Sequence, residues 1–299
     1  MRIGLVTAKA AAGLDEDESP LRTAVEAAGH AARVVAWDDP AADWAALDVA
    51  LLRSTWDYTD RLADFLGWAA RISRLTTLLN PPALVQWNTD KHYLAALAGA
   101  GVPIVPSTFV EPGDDVGLAL TRFVSAHATD ELVVKPAVGA GARDTERHRT
   151  EPRDTAMAHS RRLLAAGRSV LLQPYLNRVD EDGETALIYY SGRFSHAIRK
   201  GPLLPAQGAA TATLFAPEDI SPRTPTAEEL EVADRVLAAI PFGAPLYARV
   251  DLIRDDTGAP RLLELELTEP SLFFKHAPGA AARLVAALDD YVRGASRSS

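Results

Sequence analysis

Apolar residues in the first third of the chain fall in short continuous runs, and this pattern predicts buried strands. The runs are IGLV (3–6), RVVAW (33–37) and DVALL (48–52). Continuous runs of this length are typical of strands that are covered on both faces. One helix is expected to begin at Ser19, with Gly29 beyond its end, and another to cover about residues 60–73. The alternation of strands and helices predicts a small open α/β domain with parallel strands over residues 1–87.

The rest of the chain mixes strand and helix periods in a less regular order, which gives the predicted fold class, α/β, an α+β character. Strands are predicted at ELVVKP (131–136), SVLLQPY (169–175), LYARVDLI (246–253) and RLLELEL (261–267), with a hairpin in ALIYYSGRFSHAIRK (186–200) that turns at Ser191-Gly192. Helices are predicted from Asn88 or Thr89 to about Gly99, at 154–166, from Thr226 to about Ala239, and at 278–292. Residues 201–224 are predicted to form a long polar loop.

Composition narrows the classes of partner. The 299 residues carry a formal net charge of -9, and Lys and Arg form no stripe, so a nucleic-acid surface is not expected. The absence of cysteine removes disulfides, thiolate metal sites and cysteine nucleophiles. The N-terminal MRIGLVTAK has too short an apolar run for a signal-peptide core, and no run approaches the roughly 18 apolar residues of a membrane helix. We therefore expect a cytoplasmic protein that acts on a small molecule.

Several common catalytic motifs are missing from the chain. The turn after the first strand reads TAKAAAG and lacks the G-x-G-x-x-G of dinucleotide sites. The patterns G-x-x-x-x-G-K-[ST], H-E-x-x-H and G-x-S-x-G do not occur. The sequence therefore predicts neither a P-loop, nor a zincin site, nor the nucleophile elbow of a serine hydrolase.

Two carboxylates lie on one face of the strand RLLELEL, because the strand period of two places Glu264 and Glu266 on the same side. One interpretation is an edge strand whose glutamates stay in water. The other is a cation site, since two carboxylates about 7 Å apart repel by roughly 2 kcal/mol at an effective dielectric constant of about 20. In YARVDLI, Arg249 and Asp251 also share a face, and the turn DDTGAP favours pairing of the two strands. Oxygen ligands at this density suit Mg²⁺ if Asp251 faces the glutamates.

Lysines and glycines in the middle of the chain could contact phosphates. Lys135 ends an apolar strand, and Gly139 and Gly141 follow in a flexible loop whose amides could close over anions. Lys91 is expected in the first turn of its helix, where the helix dipole disfavours a cation. Each signal also has an ordinary structural explanation, namely a strand-end lysine with its ammonium in water or a simple turn.

The order of these segments resembles that of the ATP-grasp carboxylate-amine ligases, in the branch that includes glutathione synthetase and D-alanine:D-alanine ligase. The segments are a lysine ahead of a helix, a strand-end K-P with a glycine loop, Q-P-Y-L, R-x-D, and E-x-E followed by P-S; they cover about Asn88 to Phe274. The resemblance implies an ATP-grasp fold with an N-terminal open α/β pre-ATP-grasp domain (1–87), a central and lid subdomain (88–176) and a C-terminal subdomain with the metal-binding strands (177–299).

The resemblance also implies roles for individual residues. ATP phosphates would contact Lys91 and Lys135 under the loop through Gly139 and Gly141; the adenine would contact Gln173, Tyr175 and Leu176; the ribose would contact Asp180. Two Mg²⁺ ions would be held by Asp251, Glu264 and Glu266, with Arg249 and Lys135 as catalytic groups. Three residues depart from the family pattern: Glu266 stands where asparagine is common, Ala142 where a further glycine is common, and Ser271 where glycine is usual.

Family members of this kind phosphorylate a substrate carboxylate to an acyl phosphate, which a nitrogen nucleophile then attacks. The runs LLRSTWDY, WNTDKHYL and ELELTEPSLFF together resemble the O-ureido-serine cyclo-ligases of cycloserine biosynthesis, which would make the substrate O-ureido-D-serine and the nucleophile intramolecular. Arg53, Arg199 and Ser271 are candidate substrate contacts, and Lys200, next to Arg199 at the end of the hairpin, could also reach phosphate or substrate. Arg53 could equally be a buried arginine that ties domains together, and Arg199 and Lys200 could be a strand end in water. Intermolecular peptide-type ligation and a non-catalytic ATP-binding module remain alternatives. The sequence leaves the oligomeric state open, including a homo-oligomer.

Overall fold

The apolar runs of the first third form a four-stranded parallel sheet in a computed structural model that describes residues 1–204 and 219–297. The strands are β1 (Arg2–Thr7), β2 (Ala31–Ala36), β3 (Val49–Ser54) and β4 (Thr77–Leu79), in the order β2-β1-β3-β4. Helix α1 (Glu18–Ala27) connects β1 to β2, and α2 (Leu62–Ile72) connects β3 to β4. Every residue of β3 is buried, as expected for a central strand of a parallel sheet. The predicted open α/β arrangement is confirmed.

A second, antiparallel sheet of four strands follows two short helices, α3 (Pro82–Asn88) and α4 (Tyr93–Gly99). Its strands are β5 (Thr108–Val110), β6 (Glu131–Pro136), β7 (Glu146–Arg149) and β8 (Val170–Pro174), in the order β5-β8-β6-β7. Helices α5 (Val116–His127) and α6 (Asp154–Ala165) pack on one face of this sheet. The other face looks towards the third sheet.

The third sheet has five antiparallel strands and follows the single-turn helix α7 (Val179–Asp182). Its strands are β9 (Glu184–Tyr190), β10 (Arg193–Lys200), β11 (Ile220–Arg223), β12 (Tyr247–Arg254) and β13 (Pro260–Glu266), in the order β11-β10-β9-β12-β13. The β9–β10 hairpin turns at Ser191-Gly192, where both residues have positive φ, as a two-residue hairpin turn requires. Helix α8 (Ala227–Ala238) packs beneath β12 and β13 and carries the capping box of Thr226 and Glu229.

The C-terminal helix α9 (Ala280–Arg297) returns to the N-terminal sheet. It packs against α1, and the two helices share a core cluster with β1, β3 and β9. Among the described residues, no helix is both long and apolar enough to cross a bilayer. The domain boundaries at residues 87 and 176 stay a prediction.

The structure corrects the segment around Lys91. Asn88 does not cap a helix that contains Lys91: it ends α3, and Lys91 lies in a turn before α4. The reason is a contact with residues far along the chain. The side-chain nitrogen of Asn88 donates to the Leu265 carbonyl (2.7 Å), and its side-chain oxygen accepts from the backbone amide of Leu267 (2.7 Å). The conflict of Lys91 with a helix dipole therefore does not exist.

Other boundaries also differ from the predictions. Strands β4, β5, β7 and β11 and helix α5 were not predicted, and α9 extends five residues beyond the expected end at 292. Strand β11 lies in the predicted loop 201–224, where it pairs with β10. Residues 205–218 of that predicted loop lie outside the described residues.

Candidate active site

Strands β12 and β13 pair as predicted and bring the candidate metal residues together. Asp251 lies opposite Glu264, and Arg249 lies opposite Glu266. The outer edge of β13 is held by side chains from the α3–α4 segment, since the Tyr93 hydroxyl accepts a hydrogen bond from the Leu265 amide (2.9 Å). These contacts fix the strand face that carries the two glutamates. The positions of Glu264 and Glu266 are therefore set by backbone pairing of strands.

The loop after β13 is fixed by one buried carboxylate. Asp17, just before α1, accepts hydrogen bonds from the amides of Leu272 (2.5 Å), Phe273 (3.0 Å) and Phe274 (2.9 Å). Phe273 has a φ of +54°, a conformation that few residues other than glycine adopt. The three charge-assisted hydrogen bonds compensate for this strain and set the position of Ser271, which lines the cleft.

Several ion pairs lie at the floor of the cleft, which is formed by Glu184, Lys200, Arg249, Asp251, Glu264 and Glu266 of the third sheet together with Lys91 and Lys135. Lys91 Nζ lies 2.8 Å from Glu264 Oε1, and Arg249 contacts both Asp251 (2.9 Å) and Glu266. Lys200, at the end of β10, contacts Asp251 (2.9 Å) and Glu184, which faces it across the β9–β10 pair. Acidic and basic groups thus alternate in space. The glutamates of β13 face this cleft, with side chains 27% and 25% exposed, rather than open water.

Burial raises the pKa of two carboxyl groups on the floor, Glu266 and Glu184, more than the neighbouring cations lower it. It raises the pKa of Glu266 to about 7, with Arg249 opposing the shift and Asp251 and Glu264 adding to it. It raises the pKa of Glu184 to about 8 against the effect of Lys200. Burial would raise the pKa of Asp251 as well, but Arg249 and Lys200 hold it well below its ordinary value. The cations of the floor therefore lower the pKa of Asp251 but do not overcome the effect of burial on Glu266 and Glu184.

The donor set fits a hard divalent cation. Glu264 and Glu266 line the cleft and offer carboxylate oxygens only, which are the ligands that Mg²⁺ prefers. A cation between them would offset the repulsion by Glu264 that adds to the effect of burial on the pKa of Glu266. Asp251 is 1% exposed and lies behind Arg249 and Lys200 rather than on the cleft wall. A metal role for these three residues stays a prediction.

The two predicted phosphate lysines meet the glycine loop. Lys91 Nζ donates to the Gly139 carbonyl (3.0 Å), and the Lys91 amide donates to the Ala137 carbonyl (2.9 Å). Burial lowers the pKa of Lys135 to about 8, with Glu264 opposing the shift. In the loop, Gly141 and also Ala142 have positive φ (62° and 57°). Ala142, which replaces a common family glycine, therefore adopts the conformation that glycine would take without strain.

Arg143 ties this glycine loop to the N-terminal part of the chain. Its guanidinium donates to the carboxylate of Asp60 (2.9 Å and 2.5 Å) and to the Thr59 hydroxyl (2.8 Å). These contacts hold residues 138–145 over the lysines, where the loop forms one wall of the cleft.

The predicted adenine contacts lie at the other end of the cleft. Gln173, Tyr175 and Leu176 all line it, beside the apolar side chains of Ile253 and Leu263. Asp180 does not line the cleft; it accepts from the Tyr175 hydroxyl (2.5 Å) and from Arg147 (3.3 Å). An apolar slot next to backbone polar groups suits a flat heteroaromatic ring. The individual nucleotide contacts stay predictions.

The three candidate substrate residues lie in different places. Ser271 lines the cleft, and its carbonyl accepts from Arg249 (3.1 Å). Arg53 is 2% exposed and donates to the Pro270 carbonyl (2.7 Å), a contact that favours the structural alternative of an arginine tying segments together. Arg199 donates to the carbonyls of Asp182 (3.0 Å) and Glu181 (3.2 Å) and does not line the cleft. Substrate roles for these residues stay predictions.

Several residues of the cleft were not among the predicted site residues. Glu184 lines its floor beside Lys200, which was expected to reach phosphate or substrate, and Glu269 lines its wall with Tyr58 and Trp56. Burial, followed by Glu266, raises the pKa of Glu269 to about 8. The hairpin turn at Ser191-Gly192 alone would pair Glu184 with Arg199, but a register shift between Phe194 and His196 pairs Glu184 with Lys200 instead. For Glu269 the run ELELTEP gave a signal, because its third carboxylate follows the metal candidates directly.

Comparison with known proteins identifies the relatives of this chain. Residues 3–80 match the family model for the N-terminal domain of D-cycloserine synthetase DcsG. Cycloserine biosynthesis protein DcsG of Streptomyces lavendulae is 38% identical over 297 residues, covering 97% of this chain and 99% of the relative. The crystal structure of D-cycloserine synthetase DcsG has a TM-score of 0.92 at 37% identity, covering 97% of this chain and 99% of that one.

More distant structures share the fold. D-alanine–D-alanine ligase from Bacillus anthracis complexed with ATP has a TM-score of 0.65 at 15% identity, with 100% of both chains covered. ATP-grasp ligase PsnB complexed with a minimal precursor has a TM-score of 0.64 at 19% identity, covering 95% of this chain and 98% of that one. Identity along nearly the whole of both chains, in this fold, shows that the protein belongs to the D-cycloserine synthetase family of ATP-grasp ligases.

Proposed function

We propose that this ATP-dependent ligase closes the ring of D-cycloserine from O-ureido-D-serine. The observation that carries the proposal is the cleft floor, where three lysines, Arg249 and the paired glutamates of β13 come from separate segments to face one space. This arrangement suits the transfer of a phosphoryl group between two anions, in which positioning and charge neutralisation do most of the catalysis. A cytoplasmic location is part of the proposal, because ATP is the phosphoryl donor.

The proposed reaction has three steps. A carboxylate oxygen of the substrate attacks the γ-phosphorus of ATP, the bond to the β-phosphate oxygen breaks, and ADP leaves. The oxygen-bound nitrogen of the same substrate then attacks the acyl carbon, phosphate leaves, and the nitrogen loses a proton, so the ring forms without a second substrate. Water must be excluded until this point, since it would compete with the nitrogen for the acyl phosphate. The ring nitrogen still carries the carbamoyl group, and hydrolysis of that N–C bond releases CO₂ and NH₃ and gives D-cycloserine.

The lysines would hold the phosphates of ATP. The charge of Lys135 depends most on its surroundings, since burial lowers its pKa to about 8. Phosphate oxygens nearby favour its protonated form, so ligand binding would keep the ammonium charged. Lys91 is already close to the glycine loop through Gly139, and this contact supports a phosphate site under the loop. Arg249, in the middle of the floor, would neutralise charge on the reacting carboxyl group.

Mg²⁺ is the metal that the proposal requires, with two ions as the expected number. Glu264 and Glu266 on the cleft wall and Asp251 behind them would be the ligands, and their oxygen-only donor set supports this choice. When bound, Mg²⁺ neutralises phosphate charge and orients the transferred group. Glu266 replaces the family's usual asparagine, which keeps an oxygen donor and adds one negative charge.

The amino-acid end of the substrate would lie between the β13 loop and residues 56–58. Glu269 is 8% exposed, lines this end of the cleft and contacts Tyr58. A buried carboxyl with a raised pKa gains most from a cation close by. The α-ammonium of an amino acid supplies that cation, and we therefore assign Glu269 to recognition of this group.

The decisive experiment measures ADP release with Mg-ATP and single candidate carboxylates, including both enantiomers of O-ureido-serine, with and without added amine. We expect ADP release with O-ureido-D-serine alone, together with a product lighter than the substrate by one CO₂ and one NH₃; a product lighter by one water only would be a closed ring that keeps the carbamoyl group. Release that requires an added amine would instead establish intermolecular, peptide-type ligation. No release from any mixture, while Mg-ATP still raises the melting temperature, would favour a non-catalytic ATP-binding module; saturation at 100 times Kd adds about 2.7 kcal/mol.

A further inference from the structure

Two histidines and a glutamate lie close together between strand β7 of the second sheet and helix α6, and they are not among the floor residues. Glu146 and His148 lie on the same face of β7, since strand residues alternate, and His159 lies on α6, which packs against that sheet. His148 and His159 are each 4% exposed. No step of the proposed reaction uses these residues.

The distances between the three side chains are those of metal ligands. His148 Nε2 lies 3.1 Å from His159 Nδ1 and 3.6 Å from Glu146 Oε2, and His159 Nε2 lies 3.5 Å from Glu146 Oε1. One ligand atom from each residue lies within 4.8 Å of the others. Two ligands of a tetrahedral ion with bonds of about 2.0–2.1 Å are about 3.3 Å apart, so small movements would close the site around one ion.

The neighbouring contacts orient the rings as a metal site requires. His148 Nδ1 lies 3.2 Å from the Thr155 hydroxyl, and a proton donated from Nδ1 leaves the lone pair of Nε2 directed at His159. Metal-bound histidines commonly use their second nitrogen in this way. Within the described part of the chain, His159 Nε2 is buried without a hydrogen bond. This nitrogen is a second sign that the cluster lacks a ligand.

The carboxylate keeps one oxygen available for an ion. Arg162 pairs with Glu146 Oε1 at 3.2 Å, which leaves Oε2, the oxygen nearer His148.

We propose that Glu146, His148 and His159 form a binding site for a borderline divalent transition-metal ion, with Zn²⁺ as the expected occupant. Two imidazole nitrogens and one carboxylate oxygen are ligands that Zn²⁺ prefers and that Mg²⁺ does not. The ion would join β7 to α6. Glu146 follows the glycine loop that ends at Thr145, a cleft residue, so the site would also anchor the end of that loop.

The test titrates tag-free, chelator-treated protein with Co²⁺ in excess Mg²⁺, which occupies sites made of carboxylates. We expect one Co²⁺ per chain with the intense visible absorption of tetrahedral coordination, displaced by one equivalent of Zn²⁺. His159→Gln and His148→Gln should abolish the absorption, while the matched control His127→Gln, on α5, retains it. Thr155→Val should weaken binding by roughly 10-fold, because it removes the partner of a ligand.

Further variants separate this site from the cleft and from misfolding. Glu264→Gln should leave the Co²⁺ spectrum unchanged, because it alters only the cleft. Circular dichroism and melting of each metal-free variant establish that it is folded, and Glu146→Gln supplies a milder change if a histidine variant is not. Absence of tetrahedral absorption in the folded parent protein, or equal binding by His159→Gln and His127→Gln, would overturn the proposal.

Discussion

Replacing Glu264 by glutamine should abolish turnover and yet leave the stability of the protein nearly unchanged. The substitution keeps the shape of the side chain and removes its charge. Under the proposed function, turnover needs that charge to hold Mg²⁺ beside the phosphates. In the free protein, burial disfavours the same charge, Lys91 and Lys135 attract it, and Asp251 repels it.

The two effects on stability can be compared from the structure. The 2.8 Å distance between Lys91 Nζ and Glu264 Oε1 corresponds to an attraction of about 6 kcal/mol at an effective dielectric constant of about 20. Glu266, about 7 Å away on the same strand face, repels by about 2 kcal/mol. Asp251, directly opposite at about 5 Å, adds about 3 kcal/mol. These three pairs leave a net loss of about 1 kcal/mol, and the further attraction by Lys135 and the cost of burying the charge oppose each other. The melting temperature should therefore fall by only a few degrees in a chain of this size.

The assay compares ADP release and thermal melting for Glu264→Gln and for the matched control Glu228→Gln. Glu228 lies on α8 with its side chain 72% exposed, so the control should behave as the parent protein. We expect a loss of at least about 100-fold in kcat for Glu264→Gln, the usual effect of removing one group that stabilises transferred charge. Turnover near that of the parent would refute the assignment of Glu264. A large loss of stability would refute the charge balance instead.

Three further variants test other parts of the site. Asp17→Ala should destabilise the protein by about 2–4 kcal/mol in urea unfolding, because the amides of residues 272–274 lose a charged acceptor; an unchanged midpoint would contradict this. Arg143→Ala removes the ion pair with Asp60 that holds the glycine loop, so ADP released per product formed should rise, and an unchanged ratio would show that the loop closes without it. Glu269 has a pKa raised from 4.5 to about 8 by burial and then by Glu266, so the folded protein binds this proton more tightly than the unfolded chain. The stability of the parent should therefore fall, relative to Glu269→Gln, as pH rises from about 4.5 to about 8; a constant difference across that range would refute the shift.

Predictions from the sequence succeeded where local pattern and pairing coincide. The alternation in YARVDLI and RLLELEL, joined by a short turn, predicted that these two strands pair. The register that places Asp251 opposite Glu264 also needs a shift between Asp251 and Leu252, which the pattern does not show. The parallel sheet of the first third was predictable for the same reason, since its continuous apolar runs suit strands covered on both faces.

Predictions failed where a residue's partner lies far along the chain. Asn88 is a residue type that often caps helices, but its side chain forms hydrogen bonds with the backbone at the edge of β13. The local sequence contains no sign of this contact. Glu184 becomes a site residue only because the shifted register of β9 and β10 places it opposite Lys200 at the cleft. His148 and His159 are likewise separate in sequence, and only the packing of α6 on the central sheet brings them into contact.

The ion pairs of the floor suggest how one cleft can bind two anionic substrates. Lys91 pairs with Glu264, Arg249 pairs with Glu266 and Lys200 pairs with Glu184, so these three cations already have acidic partners at the site. In the proposed reaction these cations contact phosphate and carboxylate oxygens, while the glutamates contact Mg²⁺. Binding then exchanges partners among groups that are already desolvated, so less of the cost of burying each charge remains to be met when the ligands arrive. This exchange also explains why Glu264 can matter greatly for turnover and little for stability.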